Sequence, residues 1–227
     1  MTALLVIAAY LIGSIPMAYL VARWTRGVDL RNFGSGNVGS SNVMVAASKR
    51  WALPVAVYDI GKGLLAVWLA RWAGLEIAPQ FIVGIAAIAG HNWPVFLGFR
   101  GGRGILTSLG VILAFSPLLG LLVMLTSFSL APFKNLSLGV FLSLLALPFL
   151  AYYFADFFNI AEPGPVAAGM ACITTLALGR RLFWRRSQLA ANLSIGKLLL
   201  NRLLFDRDIR DRKTWISRPE NSSKALS

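Results

Sequence analysis

The chain has 227 residues, of which 57% are hydrophobic and only 14% are charged. A water-soluble domain of this length has about a quarter charged residues, so the composition excludes that class and indicates a membrane protein. The single cysteine, Cys172, excludes an intramolecular disulfide scaffold. With only one histidine besides, the sequence predicts no zinc site.

The net charge of +13 is concentrated at the C-terminal end. Residues 180 to 227 hold twelve Lys and Arg against four Asp and Glu, a local charge of +8. A basic patch can bind nucleic acid, but this one directly follows apolar stretches, where cytoplasmic loops carry Lys and Arg. We therefore expect membrane lipid as its partner, and no nucleic acid.

Seven apolar stretches follow one another along the chain, and several approach the roughly 20 residues that cross a bilayer. They lie at residues 3 to 23, 51 to 74, 80 to 98, 104 to 115, 117 to 133, 137 to 156 and 163 to 180. The fourth and fifth are short, are separated by Ser116 and Pro117, and are alternatively one bent segment. Merging them would place the basic C-terminal region outside the cell.

The loop charges predict an all-α polytopic membrane protein with about seven transmembrane helices, an outside N-terminus and a cytoplasmic C-terminus. In this topology Arg71 is the one basic residue on the outer side. We assign residues 1–205 to the membrane domain. The polar residues 206–227 are predicted to be a mobile cytoplasmic tail that takes no part in a site.

Two irregular segments fall on the cytoplasmic side in this topology. The first is rich in glycine and small polar residues, a composition suited to holding an anion with backbone N–H groups, side-chain amides and hydroxyls. The alternative is a flexible connecting loop. The candidate binding residues in this segment are Gly34, Ser35, Gly36, Asn37, Gly39 and Asn42.

The second irregular segment runs from residue 91 to residue 104. Arg100 and Arg103 flank the pair Gly101 and Gly102, ahead of a helix predicted to begin near Gly104. Fixed positive charge beside free N–H groups at a helix N-terminus suits a phosphate. The alternative is a pair of arginines that anchor the end of a span, which leaves the glycines unexplained.

Three further ionisable residues are candidates. His91 is the only histidine, and it is either a catalytic group or a structural one. Asp59 and Lys62 lie three residues apart on one face of the second span, where charges pair or serve a function. They are predicted to form an ion pair or to contact a ligand.

These segments resemble the bacterial acyl-phosphate:glycerol-3-phosphate acyltransferase family. The resemblance covers residues 10 to 108 and rests on four motifs: Gly13-Ser14-Ile15-Pro16, the Gly34 to Asn42 segment, Asp59-Ile60-Gly61-Lys62-Gly63 and the His91 to Gly104 segment. It implies seven spans and an enzyme that moves a fatty acyl group from acyl phosphate to the sn-1 hydroxyl of glycerol 3-phosphate. The products would be lysophosphatidic acid, a phospholipid precursor, and phosphate.

The resemblance also implies a location and partners. The enzyme would lie in the bacterial inner membrane with its site facing the cytoplasm, and would use no coenzyme A, carrier protein, metal or other cofactor. The soluble acyltransferase that forms acyl phosphate is the implied protein partner.

The resemblance assigns roles to the candidate residues. The Gly34 to Asn42 segment would help to bind glycerol 3-phosphate, and the second segment would handle acyl phosphate and the released phosphate. From its charge, and not from the resemblance, we expect Lys62 to neutralise either phosphate. His91, Ser35 and Arg103 are the proposed catalytic residues.

A third family motif near the C-terminus, with the pattern His-Arg-x-Asn-Ile-x-Arg-Leu, aligns best on residues 196 to 203. It retains Arg202, a further candidate for substrate binding, but has Gly196 and Leu199 where the family has histidine and asparagine. Val45 likewise replaces a family arginine, and the family usually has lysines at the two arginines of the second segment. These departures leave an alternative: a weak or inactive paralogue that binds or transports a lipid phosphate.

Overall fold

The structure is a computed structural model that describes residues 1–184 and 186–217. Within these residues it is all-helical. The helices are α1 (Thr2–Ser14), α2 (Met17–Arg26), α3 (Ser40–Ala46), α4 (Lys49–Trp72), α5 (Ile77–Asn92), α6 (Ile105–Phe115), α7 (Pro117–Ser129), α8 (Leu136–Tyr153), α9 (Pro163–Leu182), α10 (Ile195–Phe205) and α11 (Arg212–Ile216).

Four segments are long and apolar enough to cross a membrane: Thr2–Arg26, Lys49–Trp72, Ile77–Leu97 and Leu136–Tyr153. The apolar helices α6 and α7 are shorter. The predicted all-α membrane class is thus confirmed. The count of seven spans and the orientation in the membrane stay predictions.

The first predicted span is interrupted by Pro16. Proline disfavours helical conformation in the residue before it, and Ile15 is extended, with φ −64° and ψ 114°. Helix α1 therefore ends at Ser14, and α2 begins at Met17. The break leaves carbonyl groups at the end of α1 without helical partners, and one of them, on Gly13, is used in the candidate site described below.

The helix is interrupted between the fourth and fifth stretches, at Ser116. Ser116 separates α6 from α7: its Oγ accepts a hydrogen bond from Leu119 N at 3.2 Å and donates one to Phe158 O at 2.8 Å. Pro117 occupies the first position of α7, where no N–H is needed. At about 1.5 Å per residue, both helices are shorter than the roughly 30 Å hydrocarbon core.

Glycines allow the helices around the candidate site to touch backbone to backbone. Gly13 and Gly90 lie at the contact of α1 with α5, and Gly63 and Gly110 at that of α4 with α6. A Cβ atom on any of them would overlap the facing helix backbone. The hydrophobic effect contributes little to helix association in lipid, so close van der Waals packing at small residues stabilises these helix contacts instead.

Replacing Gly63 by alanine is expected to destabilise the fold by about 1 to 3 kcal/mol, because the new Cβ would overlap the Thr107 carbonyl. Gly61 is the matched control: a Cβ there meets nothing within 4 Å. Gly61→Ala is expected to be neutral or to stabilise α4 by up to about 1 kcal/mol. Thermal unfolding in detergent checks both, and equal melting temperatures for the two variants would contradict the packing argument.

Arg71, the basic residue assigned to the outer side, has a local structural role. Its Nη2 donates to Ala114 O at 2.8 Å, in the last turn of α6. Its Nε donates to the Gln80 side chain at 3.4 Å. A guanidinium at a helix C-terminus satisfies a carbonyl that has no partner within the helix.

Candidate active site

Asn42 organises the first glycine-rich segment. Its side chain is buried, and Nδ2 lies within hydrogen-bond distance of three backbone carbonyls, those of Leu30 (3.2 Å), Phe33 (2.9 Å) and Asn37 (3.0 Å). Its Oδ1 accepts from Ser35 N at 3.4 Å. The amide that the sequence predicted to contact a substrate is thus occupied in shaping the loop.

The loop bends where glycine permits it. Gly34 (φ 55°) and Gly36 (φ 71°) lie in the left-handed region, and Gly34 also has no Cβ to displace the Asn42 side chain. Ser35 lies between the two glycines, and its Oγ accepts a hydrogen bond from the backbone N–H of Asn37 at 3.4 Å. Asn37 Oδ1 is buried and has no hydrogen-bond partner among the described residues.

The second segment folds back on the end of α5. Gly102 N donates to His91 O at 3.0 Å, and a Cβ on Gly101 would overlap that same carbonyl. Gly104 adopts φ 70° and caps α6, which confirms the predicted helix start. The two central glycines are therefore held against His91 at close range.

The two predicted segments meet. Gly102 packs against two groups at once, the carbonyl of Val38, from the first segment, and Nε2 of His91. A Cβ on Gly102 would overlap both. A small cavity of about 10 Å³ lies beside this contact, with Val38, Asp59, His91 and Gly101 among its lining residues. The structure thus brings His91, Gly101 and Gly102 together with the Gly34 to Asn42 segment.

Asp59, Lys62 and His91 form one buried cluster. Lys62 Nζ lies 2.8 Å from Asp59 Oδ1 and 2.8 Å from His91 Nδ1. It also donates to the carbonyl of Gly13, at 3.1 Å, where α1 breaks. The predicted ion pair of Asp59 and Lys62 is present, and His91 also contacts it.

The two arginines of the second segment have different surroundings. Arg103 is buried, pairs through Nη1 with Asp206 Oδ2, and lies 5.7 Å from the centroid of the Trp184 ring. Arg100 is exposed and lines a wider cleft of about 570 Å³ together with Arg31 and Phe96. One arginine is therefore fixed, and the other faces open space.

Arg31, across that cleft from Arg100, is itself held by a neighbour. Its Nη2 lies 2.6 Å from Asp29 Oδ2, and the Asp29 carboxylate also caps the Arg31 N–H. Burial raises the pKa of Asp29, but the hydrogen bonds from Arg31 outweigh it and hold that pKa below its ordinary value.

Arg180 is a site residue that the sequence reasoning missed. Its side chain is buried between the rings of Trp93 and Trp184, at 5.3 and 4.9 Å. Nε donates to Gly102 O at 3.3 Å, and Nη2 to Asn92 O at 3.1 Å. The sequence analysis counts it only among the basic residues of the C-terminal region, although an arginine at the end of an apolar stretch, shortly before Phe183 and Trp184, is a signal for such a buried contact.

Arg202 lies in a different network. Its Nε donates to Asp208 Oδ1 at 2.7 Å and its Nη1 to Leu182 O at 2.6 Å. The Asp208 carboxylate is buried and also accepts from Ser187 N at 2.7 Å. Burial raises the pKa of Asp208, but the hydrogen bond from Arg202 and those from Ser187 outweigh it and keep the pKa below its ordinary value.

The predicted tail is described only in part, because residues 218–227 lie outside the described residues. Within 206–217, Asp206 contacts Arg103 and lies 3.7 Å from Arg181, Asp208 is buried, and Trp215 is 4% exposed. These contacts cross the boundary that the sequence placed between residues 205 and 206.

Comparison with known proteins identifies the relatives of this chain. The family described as glycerol-3-phosphate acyltransferase matches residues 3–194. "Glycerol-3-phosphate acyltransferase 4" of Dehalococcoides mccartyi (strain CBDB1) is 48% identical over 93% of this chain and 91% of its own length. "Glycerol-3-phosphate acyltransferase 5" of Dehalococcoides mccartyi (strain ATCC BAA-2266 / KCTC 15142 / 195) is 46% identical over 98% and 94%.

Two solved structures share the fold. Both are crystal structures of PlsY (YgiH), an integral membrane glycerol 3-phosphate acyltransferase. The glycerol 3-phosphate form is 33% identical to this chain with a TM-score of 0.70, and covers 85% of this chain and 99% of the solved chain. The lysophosphatidic acid form is 31% identical with a TM-score of 0.70, and the two coverages are 88% and 93%.

The family match ends at residue 194, before the segment from residue 196 to 203 on which the third motif was placed. Arg202 thus lies beyond the matched region, whereas Arg103, Arg180 and both glycine-rich segments lie within it. The match covers most of the chain, and the same family description recurs among the relatives and the solved structures. The chain belongs to the glycerol-3-phosphate acyltransferase family.

Proposed function

We propose that this multi-pass membrane enzyme transfers a fatty acyl group from acyl phosphate to the sn-1 hydroxyl of glycerol 3-phosphate, giving lysophosphatidic acid and phosphate. Family membership supports the acyltransferase class. The observation that carries the proposal is the contact of the two glycine-rich segments at Val38 and Gly102, because the reaction needs two phosphorylated reactants side by side.

The chemistry needs no covalent enzyme intermediate. The hydroxyl oxygen attacks the acyl carbon, the bond from that carbon to the phosphate oxygen breaks, and the hydroxyl proton leaves with the phosphate. Acyl phosphate is already activated, so the protein must orient the alcohol and stabilise the charge that develops on the carbonyl and phosphate oxygens. Neither task requires a serine or cysteine nucleophile.

The residues divide between the two reactants. Ser35, Gly36 and Asn37 are proposed to contact glycerol 3-phosphate, and the unpartnered Asn37 Oδ1 supports this assignment because it is free to accept from a glycerol hydroxyl. The Gly101 N–H, with Arg103, is proposed to hold the acyl phosphate. The Gly102 N–H, which the sequence also predicted to contact it, is already donated to His91 O. Gly39 and Asn42 act by shaping the first segment.

The remaining predicted residues have more distant roles in this proposal. Arg100 faces the wider cleft, where it would attract an anionic reactant before binding. Arg202 acts only through the Asp208 network.

We further propose that the site faces the cytoplasm from the bacterial inner membrane. The basic loops and the basic C-terminal region support this orientation. A cytoplasmic site would receive acyl phosphate from the soluble acyltransferase that forms it, which is the proposed protein partner.

The direct test supplies purified protein in detergent with palmitoyl phosphate and glycerol 3-phosphate, and measures lysophosphatidic acid. Product above a boiled control supports the proposal. If a relative with the complete third motif turns over under the same conditions and this chain does not, the proposed reaction is wrong. Binding of acyl phosphate without product would then support the alternative, a lipid-phosphate binding protein.

Ser35→Ala is expected to reduce turnover by at least about tenfold, because it removes a hydroxyl proposed to contact glycerol 3-phosphate. Initial rates at several glycerol 3-phosphate concentrations measure the loss. Ser129→Ala is the control: this exposed hydroxyl donates to Thr126 O in its own helix, and its loss should change the rate less than about twofold. Equal rates for the two variants would remove Ser35 from the site.

A further inference from the structure

The buried ammonium of Lys62 has three neighbours that can accept a hydrogen bond. They are Asp59 Oδ1 at 2.8 Å, Gly13 O at 3.1 Å and His91 Nδ1 at 2.8 Å. A charged lysine has three N–H groups and no acceptor. As the charged partner of the Asp59 carboxylate, Lys62 would donate all three N–H groups within the cluster.

This count fixes the position of the proton on His91. Nδ1 lies 2.8 Å from Nζ of Lys62, and beside a charged lysine it presents its lone pair. Nδ1 also lies 3.4 Å from Asp59 Oδ1. This distance is longer than the 2.8 Å from Nδ1 to Lys62 Nζ, so we assign the hydrogen bond of Nδ1 to the lysine. A neutral ring that accepts at Nδ1 carries its proton on Nε2, and a doubly protonated ring would place a donor against the ammonium.

The other ring nitrogen faces the meeting point of the two segments. Nε2 lies against Gly102, where an added Cβ would also meet the Val38 carbonyl. The polar contacts of the His91 ring with Lys62 and Asp59 are both made at Nδ1. An N–H donor therefore points to the place where the reactants are proposed to meet.

We propose that Asp59 and Lys62 are positioning residues that hold His91 as its neutral Nε2–H tautomer, so that His91 donates a hydrogen bond to an oxygen of the bound acyl phosphate. In this role His91 is not a general base, because Nε2 already carries a proton and Nδ1 is occupied. Lys62 acts through His91 instead of neutralising a substrate phosphate. The inference rests on the proposed function for the identity of the acceptor, but the tautomer itself is independent of turnover.

Because His91 is the only histidine, the tautomer can be measured directly. Protein labelled with ¹⁵N-histidine in detergent micelles has a single imidazole, whose protonated and unprotonated nitrogens have well-separated NMR shifts. We expect a protonated Nε2 and an unprotonated Nδ1 at neutral pH, without substrate. A proton on Nδ1, or on both nitrogens, would overturn the proposal even in a fully active enzyme.

Removal of the lysine tests its positioning role. Lys62→Met should move the proton to Nδ1, where it can be donated to Asp59, and should reduce turnover by at least about tenfold. Lys49→Met, the same change at an exposed position of the same helix, should alter neither the NMR spectrum nor the rate. An unchanged tautomer in folded Lys62→Met would show that the lysine does not position the ring.

A second pair of variants covers the case in which Lys62→Met does not fold. Glutamine keeps an N–H donor near the position of Nε2 but cannot accept a proton as a base at neutral pH. We expect His91→Gln to retain turnover within about threefold of the unaltered enzyme and His91→Ala to lose at least about tenfold. Glutamine and alanine variants that are equally slow would support a general base and overturn the proposal. If the unaltered enzyme forms no lysophosphatidic acid, the proposed function fails while the NMR result stands.

Discussion

Gly102→Ala is expected to reduce turnover by about 100-fold, the loss that a displacement of about 1 Å at a reacting centre can cause. The new Cβ would overlap Nε2 of His91 and the carbonyl of Val38. The carbonyl is part of the backbone of the first segment, and the His91 ring is held at Nδ1 by Lys62. The loop would shift away from α5, and the Gly102 N–H to His91 O hydrogen bond would lengthen. Gly102 is not among the residues with positive φ, so alanine can adopt its backbone conformation. The expected loss of turnover therefore comes from the added methyl group and not from backbone strain.

Gly179→Ala is the matched control for this substitution. Gly179 also lies close to the site in sequence, one residue before Arg180, but a Cβ there meets nothing within 4 Å. Its turnover and melting temperature should equal those of the unaltered enzyme or rise slightly. If Gly102→Ala were as active as Gly179→Ala, the two glycine-rich segments would not need their close contact, and the proposed site would be wrong.

Features that depend on local sequence were predictable. The all-α membrane class followed from composition, and the division at Ser116 and Pro117 followed from the proline and from the loop charges. The Asp59 and Lys62 pair followed from a three-residue spacing on one helix. In each case the interacting groups lie within a few residues of one another, where helix geometry alone determines their distance.

Contacts between distant parts of the chain were not predictable in the same way. Arg180 lies 78 residues from Gly102, and Asp206 lies 103 residues from Arg103. In the sequence, Arg180 looks like any basic residue at the inner end of a span, and Asp206 looks like part of a polar tail. Only the packing of α9 and α10 beside the second segment gives them partners.

The roles of Asn42 and Lys62 show a second limit. Residue type indicated correctly that each would make polar contacts, but not with which atoms. In the structure the Asn42 amide is used by backbone carbonyls of its own loop, and the Lys62 ammonium by three buried acceptors. A buried polar group must find partners wherever the fold offers them, and the sequence does not record which partners are nearest.

Arg103→Ala is expected to reduce turnover by about 100-fold, as the loss of a charged hydrogen bond to the acyl phosphate. Arg103 Nε is buried and has no partner among the described residues, so the guanidinium retains donor capacity beyond its pair with Asp206. The same substitution also breaks that ion pair and leaves the Asp206 carboxylate with the longer contact to Arg181, at 3.7 Å. Loss of activity alone would therefore not separate substrate binding from structural damage.

A double-mutant cycle with Asp206→Ala separates the two effects. If Arg103 serves only the ion pair, removal of both partners should restore both stability and turnover towards those of the unaltered enzyme. If Arg103 holds the acyl phosphate, the double variant should regain stability but stay about as slow as Arg103→Ala. Asp206→Ala alone should then lower the KM for acyl phosphate, because the carboxylate no longer competes with phosphate for the guanidinium. Initial rates and thermal unfolding are measured for the unaltered enzyme, the two single variants and the double variant. Restored turnover in the double variant would show that Arg103 does not hold the acyl phosphate.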